Sequence, residues 1–277
     1  MYRRNPDNEI RRYQRLAAQG DIRAEAKVLQ LRIRSGELNS HYVELAAYLE
    51  DEASLLVFPD GWRLSFSGRR IARSVSGRRT VRSVLMHGGL DMRLLVTLAA
   101  DFAEHTLPPI KDPRPALAIQ AARDWVNGWA GMDSNAVRAA AHAASDFADD
   151  AGAAAYEAAH DLDEAYEADD EDTDAYAVTA SNAAAIEAAS NAAASTAYAA
   201  ISGEAYINPP STDLEGVPRV ITQGPGADSY RFAACRRAAD AADSAVASAY
   251  YASNHFLGSD KEEKEWQIAR LIKRLLA

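Results

Sequence analysis

Residues 232–256, FAACRRAADAADSAVASAYYASNHF, decide the fold class because small and apolar side chains repeat there at alternating steps of three and four. This spacing is typical of one face of an α-helix. The predicted face comprises Phe232, Cys235, Ala239, Ala242, Val246, Ala249, Ser253 and Phe256. Most of these side chains are small, so we expect a neighbouring helix to approach closely.

Alanine makes up 29 of the 66 residues between positions 136 and 201. Alanine is the best helix former, although each alanine buries little apolar area. The sequence therefore predicts an all-α fold: an antiparallel, Ala-rich helical bundle with a smaller N-terminal helical region.

Breaks in the helical pattern predict three regions. Residues 1–60 read as a short-helix region, in which Asp21 caps a second helix and a third helix runs from Asn39 toward Phe58. Residues 61–90 read as an Arg-rich linker or a small hairpin near Trp62–Phe66, and residues 91–277 as an Ala-rich domain. Within that domain, two long helices flank a break at residues 169–174, and residues 202–226 are predicted to form a loop.

The net charge of −10 is unevenly distributed. Residues 1–93 carry 17 basic and 11 acidic side chains, whereas residues 94–277 carry 13 basic and 29 acidic ones. Residues 63–82 contain seven arginines and no acid, and residues 133–174 contain fourteen acids and one base, Arg138. These two segments are the candidate binding sites.

The acidic segment is either a solvated helix face or a docking face for a basic partner, whose association complementary charge would accelerate. The candidate partner-binding residues are Asp146, Asp149, Asp150, Asp161, Asp163, Glu164, Asp169, Asp170, Glu171, Asp172 and Asp174.

The arginine segment has two interpretations, a phosphate contact or an internal partner for the acidic body. The alternative phosphate-binding residues are Arg69, Arg70, Arg73, Arg78, Arg79 and Arg82. We expect the internal role, because acids are plentiful in the same chain, and nucleic acid is not expected as a partner.

The sequence contains no GxGxxG, GxxxxGK[ST] or GxSxG motif. Glu157 and His160 form one ExxH pair, which is half of a carboxylate di-iron motif, and the second half is missing. Cys235 is predicted to be a small core residue. We therefore expect no enzymatic activity, no cofactor and no metal site.

The chain contains one cysteine and no run of 18 apolar residues, and its basic first residues are not followed by an apolar segment. We expect a soluble, cytoplasmic protein that contacts no membrane.

Three stretches carry a resemblance: residues 102–128, FAEHTLPPIKDPRPALAIQAARDWVNG, residues 233–253, AACRRAADAADSAVASAYYAS, and residues 261–271, KEEKEWQIARL. The first has an acid–His pair, then Asp-Pro-Arg-Pro, then a helix reading A-I-x-x-A-R-x-W. Together they resemble a family of immunity proteins of bacterial polymorphic-toxin systems, over roughly residues 91–277. The resemblance implies a helical protein without chemistry of its own that binds and neutralises a toxin. Phage and mobile-element chains carry similar modules, so a defence enzyme is an alternative target.

Three hypotheses follow. The first is a stoichiometric inhibitor that docks a basic protein, such as a toxin or a defence enzyme, through its acidic helices. The second is a structural adaptor or oligomeric scaffold, and self-association stays open. The third is a nucleic-acid or nucleotide binder that acts through the arginines of residues 63–82.

Overall fold

The computed structural model describes residues 6–58, 81–108, 111–128, 134–168, 173–207, 225–252 and 259–277, which form eleven helices and no strand. The predicted all-α class is confirmed. The helices are α1 (Pro6–Ala17), α2 (Ile22–Ser35), α3 (Ser40–Tyr48), α4 (Glu52–Val57), α5 (Val81–His87), α6 (Met92–Thr106), α7 (Arg114–Val126), α8 (Ser134–Ala168), α9 (Thr173–Ile207), α10 (Pro225–Ala252) and α11 (Ser259–Leu276).

Short polar side chains begin several of these helices. Asp21, Asn39 and Asp91 each accept a hydrogen bond from a backbone N–H of the following turn, which satisfies a donor that the helix leaves unpaired. Gly36 ends α2 at φ +78°, a left-handed conformation that glycine adopts without steric cost.

The segment predicted to form one third helix forms two helices. The first, α3, ends at Tyr48, and α4 begins at Glu52 after a turn in which Glu50 has φ +72°. The Asp51 carboxylate accepts a hydrogen bond from the Ser54 N–H at 2.8 Å and caps α4. The prediction of one continuous helix was wrong because it treated the acids at residues 50–52, inside an otherwise apolar run, as a solvated part of that helix.

Residues 81–87, predicted to belong to a linker or hairpin, form α5, in which Val81, Val84 and Leu85 are buried. A helix of two turns is too short to show clear periodicity in the sequence. The predicted hairpin near Trp62–Phe66 lies outside the described residues.

The bounds predicted for a loop at residues 202–226 were wrong, because α9 continues to Ile207 and α10 begins at Pro225. Residues 208–224 lie outside the described residues. Gly203 lies inside α9 and faces the indole of Trp125. A Cβ at position 203 would lie 2.9 Å from the Trp125 ring, so glycine is required for this close approach and does not break the helix.

The chain divides into two compact units. One comprises Met1–Gly89 together with Ile268–Ala277, and the other comprises Leu90–Gln267. The sequence predicted three regions, at residues 1–60, 61–90 and 91–277, whereas here the first 89 residues belong to one unit and the last ten residues group with them. Arg32 of α2 donates hydrogen bonds to the carbonyl oxygens of Leu276 and Ala277 within that first unit.

The core of the first unit is small. Leu29, Leu38, Val43 and Ala53 form a buried cluster, against which a further set of half-buried apolar side chains packs. The partly buried set is Ile33, Val57, Phe58 and Leu276.

The second unit is built around α9, which packs against α6, α7, α8 and α10. Tyr198 of α9 contacts His142 of α8, and Glu187 contacts Gly152, so the two long helices run antiparallel. Almost every buried residue of α9 is alanine, serine or threonine. Small side chains on all sides allow four helices to approach α9 closely.

The buried face of α10 is rotated from the predicted one. Ala234, Ala238, Ala241 and Ala245 are fully buried, and Cys235, Ala239 and Ala242 flank this line. Phe232 is 54% exposed, Val246 and Ala249 are half-buried, and Ser253 and Phe256 lie outside the described residues. The prediction followed the larger side chains, whereas in a helix with alanine on most sides size does not mark the face that is buried.

Ala242 is 2% exposed, and its carbonyl oxygen accepts a hydrogen bond from Gln267. We predict that Ala242→Leu lowers the free energy of unfolding by about 1–3 kcal/mol, because the added atoms overpack a contact of alanine width. Urea unfolding followed by circular dichroism measures this difference. Ala153→Leu, at an exposed position of α8, is the matched control and should change the stability by less than about 0.5 kcal/mol.

Candidate functional site

The outer face of α8 carries most of the exposed acidic residues of the second unit. Its inner face is formed by Val137, Ala141, Ala144, Ala148 and Ala151, all buried. Apart from Asp163, each acid lies three, four or seven residues from another, so these acids share the opposite side of the helix, and Asp163 lies toward the edge of that side. These exposed residues, which we call the acidic face, are Asp146, Asp149, Asp150, Glu157, Asp161, Asp163 and Glu164.

Six of these residues were predicted from the sequence, and Glu157 was considered there only as half of a metal motif. Its position, seven residues after Asp150 and seven before Glu164, was the signal that places it on this side of the helix. Of the other predicted residues, Asp169, Asp170, Glu171 and Asp172 lie outside the described residues, and Asp174 belongs to the first turn of α9. From Asp146 to Glu164 the face spans about 27 Å, at 1.5 Å per residue.

Two acids of the acidic face are paired. Asp150 lies 3.8 Å from Arg114, and Glu164 lies 3.6 Å from His160. Asp146 also interacts electrostatically with Arg114. Asp149, Glu157, Asp161 and Asp163 form no ion pair within the described part of the chain. Their carboxylates are exposed and available to a partner.

Tyr156 is the most exposed large hydrophobic residue in the described part of the chain, at 75%. Asp149 and Asp163 lie two helical turns before and after it, and His160 lies one turn after it on the same side. The centre of the acidic face therefore presents an aromatic ring with carboxylates along the same side of the helix.

Glu187 brings a further carboxylate to the edge of this face. Gly152 has no side chain, and a Cβ there would lie 3.1–3.3 Å from the carboxylate atoms of Glu187. Negative charge thus extends from α8 across its groove with α9.

The polar residues of the segment 102–128 are bound within the second unit. Arg123 bonds to the carboxylates of Asp101 and Glu104, and the Trp125 indole N–H donates to Glu204 at 2.6 Å. Their partners indicate that these side chains serve the fold.

Arg114 also stabilises the fold of the second unit. Its guanidinium binds both carboxylate oxygens of Asp112 and lies 4.7 Å from the centre of the Phe147 ring. The hydrogen bonds from Arg114 hold the pKa of Asp112 below its ordinary value. This pair fixes the turn that begins α7.

Of the six arginines predicted as an alternative phosphate site, the structure describes one, Arg82. Arg82 lies exposed on α5, and Arg69, Arg70, Arg73, Arg78 and Arg79 lie outside the described residues. The alternative therefore stays a prediction from the sequence.

The structure shows the surroundings of Cys235 and of His160, which belongs to the ExxH pair. Burial raises the pKa of the Cys235 thiol, which keeps it protonated and poorly nucleophilic. His160 pairs with Glu164 at the surface. In the described part of the chain, no three histidine, cysteine or acidic side chains come together in a way that could hold a metal ion.

Comparison with known proteins gives no match to any family model, curated protein or solved structure. Among the described helices, none combines the length and apolar character needed to cross a lipid bilayer.

Proposed function

We propose that this protein is a non-enzymatic inhibitor that binds a basic protein through the acidic face of α8. The observation that carries the proposal is the exposure of seven carboxylates along one side of a single helix, four of them without an ion pair in the described structure. A row of like charges on a rigid helix is complementary to the lysine- and arginine-rich surface with which an enzyme such as a nuclease holds phosphates. Occupation of that surface would block its substrate.

Tyr156 supports a docking face over a merely solvated one. An exposed ring costs free energy in water, and tyrosine is enriched among the residues that dominate protein–protein interfaces. A tyrosine that is 75% exposed, in line with Asp149 and Asp163 along the helix, supplies apolar contact area where the charges alone would supply mainly association rate.

The resemblance of residues 91–277 to immunity proteins supports inhibition as the outcome of binding. In this interpretation the paired residues of segment 102–128 preserve the fold, and the exposed face of α8 selects the partner. A toxin or a defence enzyme with a basic active-site surface is the expected target.

The test uses the full chain as bait in a lysate of the source cells. The first variant neutralises four aspartates of the acidic face by Asp146→Asn, Asp149→Asn, Asp161→Asn and Asp163→Asn. The control removes the same charge elsewhere by Glu37→Gln, Glu52→Gln, Asp243→Asn and Glu262→Gln, all exposed positions outside α8.

We expect a basic protein that the wild type and the control retain and that the α8 variant loses. We also expect the purified chain to inhibit that protein at a one-to-one ratio. Equal retention by both variants, or a retained partner with an acidic surface, would rule the proposal out.

A further inference from the structure

A buried carboxylate of α11 lies against the end of α6. Glu263 is 4% exposed, and its Oε2 lies 2.8 Å from Nδ1 of His105. Its Oε1 accepts a hydrogen bond from Gln267 at 3.0 Å, and Gln267 also donates to the carbonyl oxygen of Ala242 on α10. One carboxylate therefore joins the first half of α11 to two other helices.

His105 is the solvent-exposed member of the pair that it forms with Glu263. The His105 side chain is 41% exposed, whereas that of Glu263 is 3% exposed. The imidazole stacks on the Trp266 ring with 3.6 Å between ring centres and an 8° angle between planes, and Phe102 meets the same indole edge-on. His105 can exchange protons with solvent while Glu263 stays sealed from it.

Few other charges surround the pair. On α6, Asp101 and Glu104 are both bound to Arg123. On α9 and α10 the polar groups are neutral, since Ser248 bonds to the carbonyl oxygens of Ala185 and Thr106. The remaining charged neighbours are exposed ones, Asp243 on α10 and Glu262 and Lys264 on α11. His105 is therefore the charged group that acts on Glu263.

We propose that His105 and Glu263 form a pH-sensitive latch, which holds the first half of α11 on α6 and α10 in mildly acidic solution and loosens as the pH rises. This inference is independent of the proposed function.

The direction follows from the burial of the carboxyl. Burial raises the pKa of Glu263 above its ordinary value, although the hydrogen bonds from Gln267 and His105 act in the opposite direction. A carboxyl with a raised pKa in the folded state stabilises that state below its ordinary pKa, and this contribution is lost as the pH rises through the raised value.

Hydrogen exchange of the amides of residues 263–267 tests the latch in the full chain. After correction for the exchange rate of an unstructured chain, we expect wild-type protection to fall as the pH rises from about 5.5 to 8.5, because the pKa of Glu263 is raised in the folded state. Glu263→Gln should show a much smaller fall. Glu262→Gln, which removes an exposed charge from the adjacent position, should behave as the wild type does.

Two further measurements keep the test decisive if Glu263→Gln does not fold. His105→Gln should keep the fall in protection, because glutamine can still donate a hydrogen bond to Glu263, the group whose pKa is raised. In the wild type at about pH 8.5, the nitrogen-15 shifts of the His105 ring should show that Nδ1 carries the proton that it donates to Glu263. Constant wild-type protection, loss of the fall in His105→Gln, or a ring protonated on Nε2 alone at about pH 8.5 would each overturn the latch.

Discussion

The variant Arg123→Met should destabilise the Leu90–Gln267 unit by about 3 kcal/mol, because it removes the cation that faces a buried carboxylate. Asp101 is 4% exposed, and its Oδ1 lies 3.3 Å from Nη2 of Arg123. Removal of one partner of a buried ion pair lowers the free energy of unfolding by about 3–5 kcal/mol. We take the lower end because the Arg123 side chain is 27% exposed and still partly solvated.

Thermal unfolding followed by circular dichroism measures this loss, which corresponds to about 6–12 °C in Tm for a unit of this size. The matched control is Arg236→Met, since Arg236 is 67% exposed and its ion pair with Asp240 spans 3.9 Å. An exposed pair of this kind contributes less than about 1 kcal/mol. A Tm of Arg123→Met equal to that of the control would show that Asp101 does not depend on Arg123.

Tyr156→Ala should weaken partner binding by about 30-fold in Kd, because truncation of an interface tyrosine at a hot spot costs about 2 kcal/mol. The substitution should leave the fold unchanged, since the ring makes little contact with the rest of the chain. Tyr250→Ala is the matched control, because Tyr250 is also exposed and lies on α10. Calorimetric titration with the captured partner measures both.

The two outcomes have different meanings. Loss of affinity in Tyr156→Ala, with the association rate largely kept, would assign short-range contact to the ring. Equal affinities of both tyrosine variants and the wild type would remove Tyr156 from the interface.

Local features of the fold could be predicted from the sequence. The cap at Asp21 and the start of a helix at Asn39 depend on a few neighbouring residues, and both lie where the sequence pattern indicated them. Glu50 and Asp51 divide a predicted helix because a polar pair inside an apolar run can face solvent on a helix or can end it. Tertiary packing decides between these two.

The register of α10 could not be predicted for a different reason. Hydrophobic contrast locates a buried face, and a helix with alanine on nearly every side has little contrast. Phe232 and Val246 dominated the pattern, although the first is exposed and the second half-buried.

The buried polar contacts depend on long-range pairing. Glu263 meets a histidine 158 positions earlier, and Trp125 donates to a carboxylate 79 positions later. In the sequence Glu263 is one of several acids in KEEKE, and its neighbour Glu262 is exposed. No local signal separates the two, because only the packing of α11 on α6 and α10 buries one of them. In the sequence, the acidic face was indicated by an excess of acidic residues at positions 133–174. Its role in binding stays a prediction.

The central claim is that the carboxylates of α8 attract the partner. Its most direct test is the association rate constant of the captured partner with the wild type and with the variant that carries Asn at positions 146, 149, 161 and 163. Long-range attraction raises association rates by about tenfold or more at low salt and is screened at high salt.

We predict that the α8 variant associates at least about tenfold more slowly than the wild type at about 0.05 M salt, and that the two rates converge at about 0.5 M salt. The control that lost four acids outside α8 should stay close to the wild type. Equal rates for the α8 variant and the wild type at low salt would contradict the claim and leave the acidic face as a solvated surface.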